Sequence, residues 1–593
     1  MTVGEADKPG PGASRTATVP RIAGAGQFPR RARADGPALQ GLLALAIYLV
    51  VFIVGFALPL LRQLGLPQVG QATMDPNFYI WSWRWWPYAM AHGLNPLYTH
   101  QIGAPAGYNL AWATTVPVAA VLLTPVTAAF GPIVAFNLTL LLSAPLSGWA
   151  AFVAARRLTG QFWPALLGGA VYGFSSYEVS HTFAGQPNLI VNMLLPLMVY
   201  LALLWRDGKL GRVAFVGLTA VAMAAEFYVS IEAFVQMTVL WAAGLLVGFA
   251  VARPEARQAV ASLAGLAAAA YMAAIVLASP YLAYALPHYP AHLTRRSARY
   301  SLDLANLVVP RPNRVFWLTP LTHYANALLG YSSAAYVGIP LLVIVLALAV
   351  LTWSSRLTRL LVILFLLIIA LALGPRLIIG TRQLATLPWA GLWSLPAARS
   401  AEPVRFILLG YLVLAIILAV WLAIPTRNRW LLAARWTLAL AAVAAILGNL
   451  PTASSVIDPS IPATAAARPA NALPAFISAG LYRDYLRPGE IVLVVSDRGN
   501  AGMLFQADTN FYMRVAGGFI NQSLSGSTGL PSPVALLQRP TPAREQRFRA
   551  YVREAGVGAI LVERAWAAPW MQIFSRMGLH GTWVGGMIVY RTA

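Results

Sequence analysis

The 593-residue sequence contains no cysteine, which excludes disulfide bonds and thiolate metal sites. Charged residues are also scarce, at 10% of the chain, whereas hydrophobic residues make up 59%. A soluble domain usually carries about 25% charged residues. The composition therefore predicts an integral membrane protein.

Acidic residues are especially rare, because 19 Asp and Glu stand against 42 Lys and Arg, for a formal net charge of +23. Such a charge can indicate nucleic-acid binding. Here, however, the basic residues form short clusters at the ends of apolar runs, as the positive-inside rule predicts. We therefore expect membrane lipids around the chain and no nucleic-acid partner.

The first 38 residues are rich in Pro, Gly, Ala and Arg and have no apolar period, which is typical of a disordered basic tail. The apolar run at 39–61 follows it. This run is long enough to span a bilayer and lacks a small-residue cleavage site, so we expect a membrane helix rather than a cleaved signal peptide. The tail is then cytoplasmic.

About eleven apolar runs approach the length of about 20 residues that a helix needs to cross the hydrocarbon core. They lie at 39–61, 132–155, 159–178, 187–205, 213–229, 230–251, 259–285, 334–353, 359–380, 405–424 and 430–450.

The segment 115–130 is short and contains Pro117 and Pro125. Either it spans the membrane or it is a re-entrant or half helix that returns to the side it came from. The second threading places five basic clusters together in the cytoplasm, at 156–157, 206–212, 252–257, 354–359 and 426–429. We therefore predict a multi-pass plasma-membrane protein with a cytoplasmic N-terminus, a large first external loop at 62–114 and an extracytoplasmic C-terminus.

The presence of carboxylates near the predicted outer boundary needs an explanation, since inserting a carboxylate at bilayer depth costs about 2.5–3.5 kcal/mol on insertion scales. Asp75 precedes a stretch of Trp and Tyr that we expect to anchor at headgroup height. Glu178 and His181 are three residues apart and share a helix face. Glu226 lies beside the tight turn "EFYVSIE". These side chains are the candidates for an external site.

Structural alternatives exist for each of them. Asp75 could only cap the aromatic helix, and Glu178 and Glu226 could be helix-end residues in water. Arginine side chains on the predicted outer side suit a phosphate or an anionic headgroup, whether in a site or in ordinary lipid contact. They are Arg295, Arg296, Arg299, Arg311, Arg314, Arg399 and Arg405.

The composition and the hydrophobic pattern of the chain change after residue 451. A Pro, Ala, Ser and Thr linker at 451–469 leads into a segment, 470–593, with alternating short elements. "EIVLVV" and "GAILVE" are typical of buried strands, "REQRFRAYVREAG" of a helix, and "GGMIVYR" of a closing strand. The helix-to-strand step predicts a parallel unit in a small extracytoplasmic α/β domain.

Four motifs carry a family resemblance: "MDPNFYIWSWRWWPYAMAHGLNPLYTH" at 74–100, "SLDLANLVVP" at 301–310, "RSAEPVRF" at 399–406 and the "YLRPG…VLVV…GGF…GVGAILV…GG" course of the tail. With one span, a large first external loop that has an acidic residue near its start, a multi-span core and an external C-terminal domain, the chain resembles the GT-C class of polyprenyl-phosphate-sugar-dependent glycosyltransferases. In particular, it is similar to a large group of such proteins from bacteria, especially actinobacteria.

This resemblance implies a polytopic α-helical, GT-C-like fold and transfer of a sugar from a polyprenyl-phosphate donor to an envelope glycan, lipid or protein acceptor, with inversion. Asp75 would be the catalytic base. Arg399 and Arg405, with Arg295 or Arg296 in reserve, would hold the phosphate.

Glu178, His181 and Glu226 would line the cavity and orient hydroxyls or a cation. No residue is assigned as a metal ligand, and the need for a divalent cation such as Mg²⁺ or Mn²⁺ stays open. Two alternative functions also stay open: a transporter or flippase for a lipid-linked glycan, whose membrane carboxylates would serve coupling ions, and a non-catalytic scaffold for envelope assembly.

Overall fold

The computed structural model describes residues 36–62, 64–66, 75–289, 300–310, 333–394, 402–449, 473–496, 500–518, 541–564 and 567–592. The predicted tail at 1–38, apart from its last three residues, and the linker at 451–469 lie outside these ranges. So do Arg295, Arg296 and Arg399.

Helices make up most of the segment before residue 450. In chain order they are α1 (Pro37–Phe52), α2 (Leu58–Arg62), α3 (Asp75–Ala91), α4 (Pro117–Leu122), α5 (Thr124–Phe130), α6 (Pro132–Thr159), α7 (Phe162–Gly173), α8 (Ser176–Phe183), α9 (Leu194–Arg206), α10 (Arg212–Val229), α11 (Ile231–Val251), α12 (Pro254–Ala285), α13 (Ile339–Thr352), α14 (Arg356–Leu373), α15 (Ile407–Ala423) and α16 (Arg429–Gly448). A π-helical turn, Ile53–Ala57, joins α1 to α2.

Nine helices in the described part of the chain are long and apolar enough to cross a membrane. They correspond to nine of the predicted spans. The other two predicted spans fold as the shorter helices α7, of 12 residues, and α13, of 14 residues. The chain is thus a multi-pass membrane protein, and the predicted polytopic helical fold is confirmed.

The ends of these helices lie on two opposite sides of the helix bundle. Gln40 at the start of α1 accepts a hydrogen bond from Arg156 Nε, 3.0 Å away, at the end of α6. Arg157 forms an ion pair with Asp207, just after α9, at 2.7 Å. We call this side of the bundle the basic end and the opposite side the site end. Helix α1 carries the chain from the basic end to the site end, and α6 carries it back. The segment between them, which includes the short helices α4 and α5, therefore begins and ends at the site end, as the half-helix threading requires.

Small residues let the central helices approach closely. A Cβ added to Gly173 of α7 would lie 2.5 Å from the carbonyl oxygen of Ala144 in α6, and one added to Gly168 would lie 2.6 Å from that of Ala415 in α15. Backbones that pack this tightly gain van der Waals contact, which is the main attraction available between helices in lipid. Helix α15 is consequently buried along nearly all of its length.

The segment after residue 473 forms the predicted α/β domain. Its helices are α17 (Ala475–Ser478), α18 (Tyr482–Tyr485), α19 (Ala501–Asp508), α20 (Pro542–Glu554) and α21 (Ala567–Arg576), and its strands are β5 (Ile491–Val495), β6 (Arg514–Val515), β7 (Val557–Glu563), β8 (Gly581–Val584) and β9 (Met587–Arg591). The sheet order is β6-β5-β7-β9-β8. Strand β5 is parallel to β6 and β7, whereas β9 is antiparallel to β7 and β8. The predicted parallel unit is therefore present.

This domain packs against the loop that follows α3. Residues 101–104 run along the free edge of β6, with Val515 N donating to Gln101 O at 2.8 Å and Ala104 N donating to Val515 O at 3.0 Å. The loop also contains its own strand pair, β1 (Tyr98–Thr99) and β2 (Tyr108–Asn109). The edge that a small sheet would otherwise expose is thus covered by the loop that follows α3.

The tryptophans of α3 contradict one expectation. Trp81, Trp83, Trp85 and Trp86 are buried within the protein rather than anchored at the headgroup surface. The ring of Phe511, beyond α19, meets Trp81 edge-on with centroids 5.8 Å apart. The expectation was wrong because an amphipathic aromatic stretch has the same sequence pattern whether lipid or a second domain covers it.

One carboxylate holds the segment 300–310 in place. Asp303 accepts backbone hydrogen bonds from Gly380 and Thr381 at 2.9 and 2.7 Å. These two residues join the hairpin strands β3 (Arg376–Ile379) and β4 (Arg382–Thr386). The "SLDLANLVVP" segment thus holds a hairpin at the site end.

Candidate functional site

Asp75 is the first residue of α3. Pro76 suits the position after it, because a proline in the first helical turn has no intrahelical partner for a backbone N–H to lose. A carboxylate at a helix N-terminus is also favoured by the unpaired backbone N–H groups there. The Asp75 side chain is half-buried.

The loop at 184–188, between α8 and α9, holds this carboxylate. Gln186 Nε2 donates to Asp75 Oδ2 at 2.7 Å, and Gln186 Oε1 lies 2.7 Å from His181 Nδ1. Since an amide oxygen can only accept, His181 donates from Nδ1. The amide of Gln186 is therefore fixed at both ends, and so is the Asp75 oxygen that it contacts.

Gly185 allows this loop to lie against α3. Its φ of +67° is in the left-handed region that favours glycine, and a Cβ there would lie 2.7 Å from Cγ of Pro76. Three residues on, Asn188 Oδ1 accepts a hydrogen bond from the Tyr79 hydroxyl, one helical turn beyond Asp75. Burial raises the pKa of Tyr79, and the charge of Asp75 raises it further, so this hydroxyl stays protonated as a donor.

Arg405 lies near the same helix start. One guanidinium nitrogen, Nη1, pairs with Glu232 of α11, and the other, Nη2, lies 3.0 Å from Glu402 Oε2. The side chains of Arg405, Glu232 and Glu402 are 18%, 22% and 25% exposed. The arginine predicted to hold a phosphate is thus shared between two carboxylates.

The pKa of the Glu402 carboxyl is raised to about 7. Burial is the largest cause, the positive charge of Arg405 opposes it, and the negative charges of Glu232 and Asp75 add to the rise. The charge of Asp75 therefore acts on Glu402. Asp75, the Gln186 loop and the Arg405 cluster therefore form one polar region at the site end.

Glu178 and Glu226 lie deeper, and each is fully buried. Glu178 Oε1 accepts from Ser147 Oγ at 3.1 Å and Oε2 accepts from Asn192 Nδ2 at 2.7 Å. This carboxyl joins α8, α6 and the segment before α9. Neither oxygen of the Glu226 carboxyl has a hydrogen-bond partner among the described residues.

Sequence analysis missed Gln186, Asn188 and Glu402 as contributors to this region. The loop sequence "AGQPN" gave a weak signal, because a glycine, a proline and two amides between apolar helices indicate a turn with side chains available for hydrogen bonds. Glu402 was visible within "RSAEPVRF", three residues before Arg405. Its contact with Arg405 follows from the turn Pro403–Phe406, which leads into α15.

No group of three or more His, Asp or Glu side chains suited to a metal ion occurs in the part of the chain that the structure describes. Within those residues, Gln186 and His181 are engaged with Asp75 or with each other, and Glu232 and Glu402 are engaged with Arg405.

The fold is similar to that of a known glycosyltransferase. The arabinofuranosyltransferase AftD from Mycobacteria, solved by cryo-electron microscopy, superposes with a TM-score of 0.54 over 95% of this chain, at 14% identity. The chain spans 40% of the length of AftD. The predicted GT-C fold is therefore confirmed.

Two further structures align less well. ArnT from Cupriavidus metallidurans, bound to undecaprenyl phosphate, gives a TM-score of 0.48 at 12% identity over 94% of this chain and 99% of its own. The oligosaccharyltransferase AglB from Archaeoglobus fulgidus, in complex with an inhibitory peptide and a dolichol-phosphate, gives 0.48 at 12% identity over 94% of this chain and 75% of its own.

No curated protein sequence matches the chain. Residues 42–447 match the model of a family described as a domain of unknown function, DUF6311. This match covers more than half of the chain and includes α3, the Gln186 loop and the Arg405 cluster. The protein therefore belongs to the DUF6311 family.

Proposed function

We propose that this protein is an integral-membrane glycosyltransferase. It transfers a sugar from a polyprenyl-phosphate donor to an envelope glycan, lipid or protein acceptor at the extracytoplasmic face. The fold shared with an arabinofuranosyltransferase supports this proposal. The observation that carries it is the contact between Gln186 and Asp75, because it holds a carboxylate oxygen at the site end in one position.

The proposed chemistry needs one base and one site for the leaving phosphate. Asp75 accepts the proton of the acceptor hydroxyl while the oxygen of that hydroxyl attacks the anomeric carbon of the donor sugar. The bond from that carbon to the phosphate oxygen breaks on the opposite face, and its electron pair stays with the phosphate. A single displacement inverts the anomeric centre, so no covalent glycosyl-enzyme is required.

We assign Arg405 to the lipid phosphate because a guanidinium offers paired donors to phosphate oxygens. Arg399, Arg295 and Arg296 stay proposed as further phosphate ligands. His181 is proposed as a positioning residue that acts through Gln186. Glu178 and Glu226 are proposed to shape the wall of the cavity from within the bundle.

The orientation follows from the distribution of charge. The basic end carries Arg156, Arg157 and Arg206, and the positive-inside rule assigns such an end to the cytoplasm. The site end and the α/β domain are then extracytoplasmic, and the N-terminus is cytoplasmic. A lipid-linked donor would reach Asp75 from the outer leaflet.

The test is transfer by purified protein in liposomes supplied with a panel of radiolabelled polyprenyl-phosphate sugars and a membrane extract as acceptor. Wild type is compared with Asp75→Asn and with Asp484→Asn, an exposed acid of the α/β domain. We expect transfer by wild type and Asp484→Asn and a loss of at least 100-fold in Asp75→Asn. Wild-type turnover in Asp75→Asn would remove Asp75 from the mechanism.

A further inference from the structure

Arg405 is held by two carboxylates that are not equivalent. Glu232 Oε2 pairs with Arg405 Nη1, and Glu232 Oε1 also accepts from the backbone N–H of Glu402 at 3.2 Å and from Gln236 Nε2 at 3.3 Å. Both oxygens of Glu232 are therefore engaged. This carboxylate is a fixed partner that connects α11 to the start of α15.

Glu402 is held less firmly. Among the described residues, its carboxylate is engaged only in the ion pair with Arg405, whose Nη2 lies 3.0 Å from Oε2. Its side chain is 25% exposed, the most of the three members of the cluster. The carboxylate therefore occupies a place where a second anion could meet the guanidinium.

The charges of the cluster decide whether that second anion can bind. With both carboxylates ionised, the three groups sum to −1, which repels a phosphate. With Glu402 protonated they sum to zero, and Nη2 is released for another acceptor. A protonated Glu402 can also donate its own O–H to a phosphate oxygen.

We propose that Glu402 is the exchangeable anion of this site: it occupies Nη2 of Arg405 until a lipid phosphate replaces it, and Glu402 takes up a proton as the phosphate binds. This inference rests on the proposed function, since it takes a lipid phosphate as the ligand. Glu402 is then a positioning and specificity residue, which keeps Arg405 paired while the donor is absent.

The surroundings of Glu402 support proton uptake. The groups that face it are Arg405, Glu232 from α11, Asp75 from α3 and Tyr177 from α8. Burial raises the pKa of Tyr177, so its hydroxyl does not titrate near neutrality. Burial and the two acidic neighbours raise the pKa of Glu402 to about 7, which allows a proton to be gained or lost near neutral pH.

The experiment measures binding rather than turnover. Wild type and Glu402→Gln are placed in phosphatidylcholine nanodiscs and titrated with undecaprenyl phosphoryl glucose at pH 6, 7 and 8. This probe is a phosphodiester, so its own charge is constant over that range. Glu255→Gln, an exposed acid of α12 near the basic end, is the matched control.

We expect the Kd of wild type and of Glu255→Gln to rise about tenfold between pH 6 and pH 8, the limit for uptake of one proton with a pKa near 7. Glu402→Gln should bind with the same Kd at all three pH values, close to that of wild type at pH 6. Arg405→Lys should bind weakly throughout, because an ammonium cannot offer a planar fork.

Equal pH profiles for wild type and Glu402→Gln would overturn the inference, and so would a flat wild-type profile. Melting temperatures of all variants exclude misfolding as the cause. The outcome is separate from that of the transfer assay. Transfer with pH-independent binding would leave the proposed function and remove the role of Glu402. Binding that follows the expected profile without transfer would leave a proton-linked lipid-phosphate site.

Discussion

Gln186 donates a hydrogen bond of 2.7 Å to Asp75 across 111 residues of chain. The contact joins the loop after α8 to the first residue of α3. Both partners lie at helix ends, where side chains can reach groups outside their own helix. The geometry of the proposed base thus depends on an amide that is itself oriented by His181.

Replacing Gln186 with Leu should lower kcat by about 10- to 100-fold, because a carboxylate displaced by about 1 Å loses much of its advantage as a base. The KM for the lipid donor should stay within about twofold of wild type, since Gln186 bonds to Asp75 and His181 rather than to the proposed phosphate ligand. Steady-state transfer in liposomes measures both. Gln258→Leu, an exposed glutamine of α12, is the control, and a loss confined to KM would contradict the prediction.

His181 variants separate orientation from simple packing. Asn in place of His181 can still donate to Gln186 Oε1, whereas Phe fills the space without a donor. We expect Asn to keep most of the kcat and Phe to resemble Gln186→Leu. If the Asn and Phe variants lose activity equally, His181 does not act through Gln186.

Gln506 joins the α/β domain to α3. Its buried side chain accepts from Trp81 Nε1 at 3.0 Å and donates to Gln101 O and Met513 O at 2.6 and 3.0 Å. Gln506→Leu removes the acceptor of Trp81 Nε1 and the donor to Met513 O, whereas Gln101 O keeps its bond from Val515 N. Each buried polar group left without its partner costs about 1–3 kcal/mol. We expect a clear fall in melting temperature in detergent and faster proteolysis of the α/β domain.

Gln546→Leu, an exposed glutamine of α20, provides the comparison. It should melt with wild type. A Gln506→Leu protein as stable as this control would show that the domain is not held on α3 by these bonds.

Glu226 is buried without a described hydrogen-bond partner, an arrangement that costs free energy. Glu226→Met keeps the side-chain length and removes the polar group, so the free energy of unfolding should rise by about 1–3 kcal/mol. Thermal unfolding in detergent measures this change. Retained transfer would confine Glu226 to the wall of the bundle, whereas lost transfer in a stable Met variant would indicate contact with the substrate.

Glu402 should make stability fall as pH rises. Its folded-state pKa of about 7 lies above the ordinary value of 4.5, so the folded state keeps a proton that the unfolded state has already lost. Unfolding free energy therefore decreases between about pH 4.5 and 7, by about 2–3 kcal/mol, and levels off above that range. Melting curves from pH 5 to 8 should show this slope in wild type and a smaller slope in Glu402→Gln.

Much of the membrane fold could be predicted from the sequence, because apolar length and terminal charge act locally. The runs that became α1, α6 and α12 need no partner to be recognised. The strands β5 and β7 were predictable for a similar reason, since a short apolar run between turn signals is typical of a buried strand.

The candidate site was only partly predictable. Asp75, His181 and Arg405 were identified by residue type and by position relative to the spans. Gln186 and Glu402 were not, because an amide or a carboxylate in a turn gives no sign of which distant side chain it will meet.

The sequence by itself determined that the chain crosses the membrane many times, that several of its acids lie near one set of helix ends, and that an α/β domain follows. These features depend on transfer free energies, which add along the chain. Only the tertiary structure decided that the tryptophans of α3 are buried, with Trp81 against that domain, that Gln186 holds Asp75 and that Glu402 pairs with Arg405. Those facts depend on distances between segments up to several hundred residues apart, and helix packing sets them.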